Sequence, residues 1–81
     1  MKLTIVSPEK IVYNGTATSV AVPGTKGAFE VLDNHAPIIS SLQSGIVIVR
    51  SAEGEKEFPI RSGFIEVANN EVSICVESEG V

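Results

Sequence analysis

The stretch Glu71–Glu77, EVSICVE, decides the fold class. Val72, Ile74 and Val76 fall at every second position, with Glu71, Ser73, Cys75 and Glu77 between them. A period of two puts the first set on one face of a strand and the second set on the other, which is the pattern of a half-buried strand. An amphipathic helix needs apolar residues at spacings of three and four, and no long segment of this chain shows them.

Outward from this stretch the same period recurs. KLTIV, Lys2–Val6, aligns Leu3 with Ile5, and TSVAV, Thr18–Val22, aligns Val20 with Val22. Turn signals separate the strands, and three tight hairpins are expected. Asn14-Gly15 is the pair that a type I′ turn prefers, because both positions need φ > 0. Asn69-Asn70 supplies the same conformation and sets Val67 opposite Val72 and Ile65 opposite Ile74. A turn at Glu53-Gly54 pairs Val49 with Phe58, Val47 with Ile60 and Arg50 with Glu57, joining like with like and opposite charges. Pro59 has no N–H for a ladder, so its strand is expected at an edge or at a bulge. The fold class is therefore all-β: a two-sheet antiparallel β-sandwich of short strands, in one domain over residues 1–81. GIVIVR, Gly45–Arg50, is apolar on both faces. Its outer face is expected to lie under a loop of the same chain or under a partner.

Composition narrows the function. With 81 residues the chain holds one small core, and its single cysteine cannot form an internal disulfide, so packing must stabilise it. Ten acidic residues against six basic ones give a net charge of −4, which argues against a nucleic-acid partner. No charged segment followed by an apolar stretch opens the chain, so no secretory signal is expected. The longest apolar run, Ile46–Val49, is far short of the roughly 20 residues a bilayer span needs, so no direct membrane insertion is expected.

Catalytic chemistry finds little to work with. The one histidine, His35, and the one cysteine, Cys75, stand far apart in sequence, and nothing near Cys75 would activate its thiol. Structural zinc needs four Cys or His ligands and the chain has two such residues. PGTKG, Pro23–Gly27, lacks the spacing of a phosphate-binding loop. It does present Lys26 near a hairpin tip, as biotinyl and lipoyl carrier domains present their modified lysine, and a carrier domain modified at Lys26 is one alternative reading. A β-sandwich binding module without an assigned partner is another. His35 reads as a loop histidine that satisfies the turn at Asp33-Asn34, with Pro37 fixing the exit of the chain.

One segment goes further: GAFEVLDNHAPIISSLQSG, Gly27–Gly45. With Pro23-Gly24 before it, this segment carries Phe29, Val31-Leu32, His35-Ala36-Pro37 and a Leu-x-x-Gly at Leu42–Gly45. In this it resembles the epsilon subunit of bacterial F-type ATP synthases. LTIVSPEKIVYNG, Leu3–Gly15, is similar to that family's opening, and SGFIEVANNEVSICVE, Ser62–Glu77, to its last hairpin. The resemblance covers essentially the whole chain, in order.

The resemblance implies a β-sandwich in the central rotor, a non-enzymatic subunit that docks the gamma subunit onto the c-ring. It implies no cofactor, metal or small-molecule substrate, and a peripheral position on the cytoplasmic face of a bacterial inner membrane. The interface residues it implies are Ala28 and Glu30, then Asp33, His35, Ala36 and Pro37, and Ser40 on the next strand. Several positions depart from the family pattern. Ala28 stands where many relatives carry an acid, which leaves Glu30 or Asp33 to meet the ring. Glu30 stands in place of a common glycine, and Asp33-Asn34 in place of a Pro-Gly or Pro-Asn. Ser62 also replaces a glycine, so its backbone is expected to avoid φ > 0. Typical relatives continue into a C-terminal helical hairpin. This sequence stops at Val81, about four residues after its last strand, and a natural short subunit and an excised domain fit it equally. The 81-residue polypeptide is expected to support coupling without binding ATP or restraining ATP hydrolysis.

Overall fold

The computed structural model describes residues 1–78. These form eight strands: β1 (Lys2–Val6), β2 (Ile11–Thr16), β3 (Ser19–Val22), β4 (Phe29–Leu32), β5 (Ile38–Leu42), β6 (Gly45–Ser51), β7 (Gly54–Ala68) and β8 (Glu71–Ser78). The all-β expectation holds, and the fold is sandwich-like.

β8 buries Val72, Ile74 and Val76 and exposes Glu71, Ser73, Cys75 and Glu77, as its alternation requires. The turn before it has Asn69 at φ 53° and Asn70 at φ 59°. Asparagine tolerates this left-handed region better than most residues, and the resulting register sets Val67 against Val72 and Ile65 against Ile74. Every apolar residue on that side of both strands then faces the core.

β5, β6 and β7 form one long antiparallel hairpin. Its register is unchanged across a break at Gln43-Ser44, with Leu42 opposite Gly63 on one side and Gly45 opposite Ile60 on the other. At the break the chain turns to new partners. Gln43 N–H donates to the Pro23 carbonyl at 2.8 Å, and Gly24 bridges Leu42. The β7–β8 ladder is also irregular here, between Ile60 and Ser62. β7 thus serves both layers: Gly54–Ile60 runs beside β6, and Gly63–Val67 lies between β5 and β8. Pro59 falls in the half without a β8 partner among the described residues, just before the bulge, as its missing N–H demands. Ser62 has no positive φ.

Both layers fold over one core. Leu3, Ile5, Val20, Val31, Val47 and Ile65 are fully buried. Burial of each such side chain stabilises the fold by about 1.5–3 kcal/mol.

Several expectations need correction. The two layers are hydrogen-bonded parts of one eight-stranded sheet, in the order β2-β1-β8-β7-β6-β3-β4, with β5 also on β7. One pair in it, β1 with β8, is parallel. Asn14-Gly15 is not a turn. It lies inside β2, opposite Thr4 and Leu3, and the β1–β2 connection is made at Ser7–Lys10. Pairing the whole of β2 with β1 sets Tyr13 beside Ile5 on the core side, which outweighs a local turn preference. The β6–β7 turn is Ala52-Glu53, so the register differs by two residues: Val47 faces Phe58, Val49 faces Lys56 and Arg50 faces Glu55. Gly54, at φ 111°, takes the conformation that the turn needs just after it. An even shift keeps each side chain on its expected face. In β6 itself, Val47 and Val49 are buried, Ile48 is half-buried and Ile46 is exposed.

Candidate partner interface

The loop after β4 begins with a tight turn. His35 N–H donates to the Leu32 carbonyl at 3.1 Å, and Asn34 takes φ 63° at the third turn position. A positive φ there is the requirement of a type II turn, and asparagine meets it at low cost. Two further contacts tie the turn to the sandwich. Asn34 N–H donates to Asn70 Oδ1 at 2.8 Å, and the Asp33 carboxylate accepts from the Met1 ammonium. The half-buried His35 ring donates from Nδ1 to the Ala36 carbonyl at 2.7 Å, which leaves Nε2 unengaged among the described residues. Ala36 and Pro37 are exposed, and Pro37 directs the chain into β5.

The structure gathers four of the expected interface residues, Asp33, His35, Ala36 and Pro37, at the sandwich end that also carries Met1, Ala17 and Asn70. Ala28 is exposed at the other end of β4, which at about 3.3 Å per residue is well over 10 Å away. Glu30 lies on the outer face of β4, where its Oε2 accepts from Arg50 Nη1 at 2.9 Å. The same guanidinium donates from Nε to Glu55 Oε1 at 3.0 Å. Ser40 is half-buried opposite Ile65, and its hydroxyl donates to the Ser41 carbonyl. Both acids expected to meet the ring, Glu30 and Asp33, therefore have a cation of their own chain beside them.

Sequence reading missed an apolar band on the outer face of β5, β7, β8, β1 and β2. Cross-strand pairing sets Phe64 opposite Cys75, Cys75 opposite Val6, and Val6 opposite Ile11. Ile39, opposite Glu66, is a diagonal neighbour of Phe64 and extends the band toward Pro37. Ile39 is 65% exposed, Ile11 63% and Phe64 45%. A groove of about 460 Å³ opens here, with Val6, Pro8, Phe64, Cys75 and Glu77 in its lining. Contiguous exposed apolar patches occur at protein–protein and membrane contact sites and at ligand grooves. One signal was present in the sequence: Phe64 occupies the outward phase of a strand whose inward phase is Ile65 and Val67.

Comparison with known proteins agrees with the fold. Residues 1–79 match the family described as the ATP synthase delta/epsilon chain, beta-sandwich domain. Over 77 residues the chain is 40% identical to the ATP synthase epsilon chain of Chlorobium limicola, covering 94% of this chain and 88% of that one. It is 40% identical over 77 residues to the ATP synthase epsilon chain of a Leptospira interrogans strain, covering 95% of this chain and 61% of that one. The chain thus spans about six tenths of the Leptospira relative's length. The fold is shared with a chain of the Euglena gracilis mitochondrial ATP synthase, at a TM-score of 0.84 and 22% identity over 91% of this chain and 48% of that one. It is also shared with a chain of the Tetrahymena thermophila mitochondrial ATP synthase central stalk and c-ring, at a TM-score of 0.80 and 15% identity over 95% of this chain and 63% of that one. A match running through both Lys26 and the His-Ala-Pro segment displaces the carrier-domain reading, and the chain belongs to the ATP synthase delta/epsilon family through its beta-sandwich domain.

Proposed function

We propose that this chain is a non-catalytic rotor component of an F-type ATP synthase, docking the gamma subunit onto the c-ring and so coupling ion flow to ATP synthesis. Relatives named ATP synthase epsilon chain support the subunit assignment. The same fold occurs in one assembly described by its F1 and c-ring and in another described by its central stalk and c-ring, which supports the partners. The cytoplasmic face of a bacterial inner membrane is the location that goes with this role.

The observation that carries the docking is the outward apolar band Ile39–Phe64–Cys75–Val6–Ile11. A lone folded domain gains nothing from exposing Phe64 and its diagonal neighbour Ile39, whereas a protein partner buries them at about 25 cal/mol per Å² of apolar surface. We assign this band to gamma. The end with Asp33–Pro37 suits the loops of the ring, because Asp33, Asn34, Ala36 and Pro37 are exposed and the turn is held by Asn70 and Met1. Ala28 and Glu30, on different parts of the surface, belong to the margins of these contacts, and Ser40 to the strand that joins the two surfaces.

The test is binding of purified gamma to the wild-type chain and to Phe64→Asp. Phe64 is exposed enough that the variant should fold, and its affinity for gamma should fall at least tenfold. Unchanged affinity, or no binding by the wild-type chain, rejects the assignment.

A further inference from the structure

Met1 is built into the fold on every side. Met1 as a whole is 7% exposed, and its side chain, at 1%, belongs to the core. Its carbonyl accepts from Ala17 N–H at 2.9 Å, while its ammonium donates to the Ala17 carbonyl at 3.0 Å and to Asp33. The next amide, Lys2 N–H, donates to the Asn70 carbonyl at 3.2 Å. Three separate connections meet at these two residues: the β2–β3 corner at Ala17, the turn at Asp33 and the β7–β8 turn at Asn70.

We propose that the α-amino group of Met1 positions the loop at residues 33–37, and that any group placed on that nitrogen releases this loop from the sandwich end. A formyl or acetyl group does so, and in a longer polypeptide a preceding residue has the same effect. An ammonium has a full charge and three N–H donors, two of which are used here. An amide at the same nitrogen has no charge and one donor, so Ala17 and Asp33 cannot both be served. It also brings a carbonyl oxygen against two acceptors, where only hydrogens are tolerated. Room is short too, because Met1 as a whole is only 7% exposed and the bond from its ammonium to Ala17 is buried. Asp33, at 55%, is the partner that can turn to water. When it does, the turn keeps only the Asn34–Asn70 contact to the sandwich.

This inference concerns the isolated chain and is measured without any partner, so its failure is separate from that of the docking assignment. The chain is made by total synthesis with Met1 free or formylated, each with and without Asp33→Ala. Amide exchange at His35, whose N–H closes the turn, reports the loop, and Val47 in the core serves as the internal reference. Formylation should speed exchange at His35 at least tenfold relative to Val47 and lower the thermal midpoint by about 5–10 °C. Asp33→Ala with a free amino group should reproduce the exchange effect, and adding formylation to it should change the loop little further, because both remove one contact. His35 exchange within twofold of wild type in the Asp33→Ala chain overturns the proposal, even if the formylated chain fails to fold. Simple addition of the two effects overturns it as well.

Discussion

Asn70 Oδ1 accepts the backbone N–H of Asn34 at 2.8 Å, so two left-handed asparagines 36 residues apart hold two turns together. One turn links β7 to β8 and the other opens the candidate ring-facing loop. The left-handed backbone and the cross-turn bond can be separated by substitution. Asn69→Ala removes the carboxamide whose local hydrogen bonding lets asparagine tolerate the left-handed region, and should cost about 1 kcal/mol. Asn70→Ala does the same and also removes the bond to Asn34, for about 2 kcal/mol in all. Urea denaturation of both variants measures the difference. Equal losses would mean that the bond between the turns contributes nothing.

The two faces of β6 make opposite predictions. Val47 is fully buried and Ile46 is 47% exposed. Val47→Asp places an unpaired carboxylate in the core and should cost several kcal/mol or abolish folding. Ile46→Asp should change stability by less than about 1 kcal/mol. If that outer face also meets a partner, as an apolar strand face suggests, Ile46→Asp weakens assembly while the free domain stays folded. Similar destabilisation of the free domain by both variants would show that Ile46 is covered within the chain itself.

How far these properties are legible from sequence depends on how local they are. Alternation is local, so the buried faces of β1, β3 and β8 are read correctly from Leu3, Val20 and Val72 onward. Asn69-Asn70 is legible because its turn preference and the flanking apolar pattern agree. Asn14-Gly15 misleads because pairing with β1 overrides the turn preference. The parallel pairing of β1 with β8 depends on chain ends some 70 residues apart and leaves no local mark. The interface follows the same rule. The His35 loop is visible as a contiguous motif, whereas Phe64, Cys75, Val6 and Ile11 come from four strands and become a surface only after folding. Arg50 beside Glu30 and Met1 beside Asp33 are likewise products of topology.

Gly63 is required by close approach rather than by φ. A Cβ built there would lie 2.7 Å from the Cys75 carbonyl oxygen, which is backbone and cannot turn aside. Gly63→Ala must therefore separate β7 from β8 beside the apolar groove, at a cost of about 1–3 kcal/mol. Gly15→Ala is the control, since the nearest neighbour of its Cβ is the Tyr13 hydroxyl at 3.5 Å, an ordinary contact. A thermal midpoint for Gly63→Ala no lower than that of Gly15→Ala would contradict the close approach.

Arg50 joins Glu30 and Glu55 across the outer face, and all three side chains are between 44% and 48% exposed. Pairs this open to water contribute little, typically below about 1 kcal/mol each, and salt screens them. Arg50→Met should therefore lower stability by no more than about 1 kcal/mol at low salt, with a smaller difference at 1 M salt. A loss that persists at high salt would assign the effect to packing of the arginine stem over β3 and β6 instead of to charge.

His35 separates a structural role from an interface role. Its ring makes one hydrogen bond, to the carbonyl of the adjacent Ala36, and it is half-buried. The turn it follows is closed by backbone and by Asn34 and Asp33, not by the imidazole. Removing the ring should therefore cost the free domain at most about 1 kcal/mol, the worth of one ordinary hydrogen bond. Nε2 and the exposed Ala36-Pro37 edge are then what the loop offers a partner. His35→Asn should keep the fold within that margin in urea denaturation and reduce binding to a gamma–c-ring complex. A stability loss well beyond 1 kcal/mol with assembly unchanged would make the histidine a structural residue and remove it from the interface.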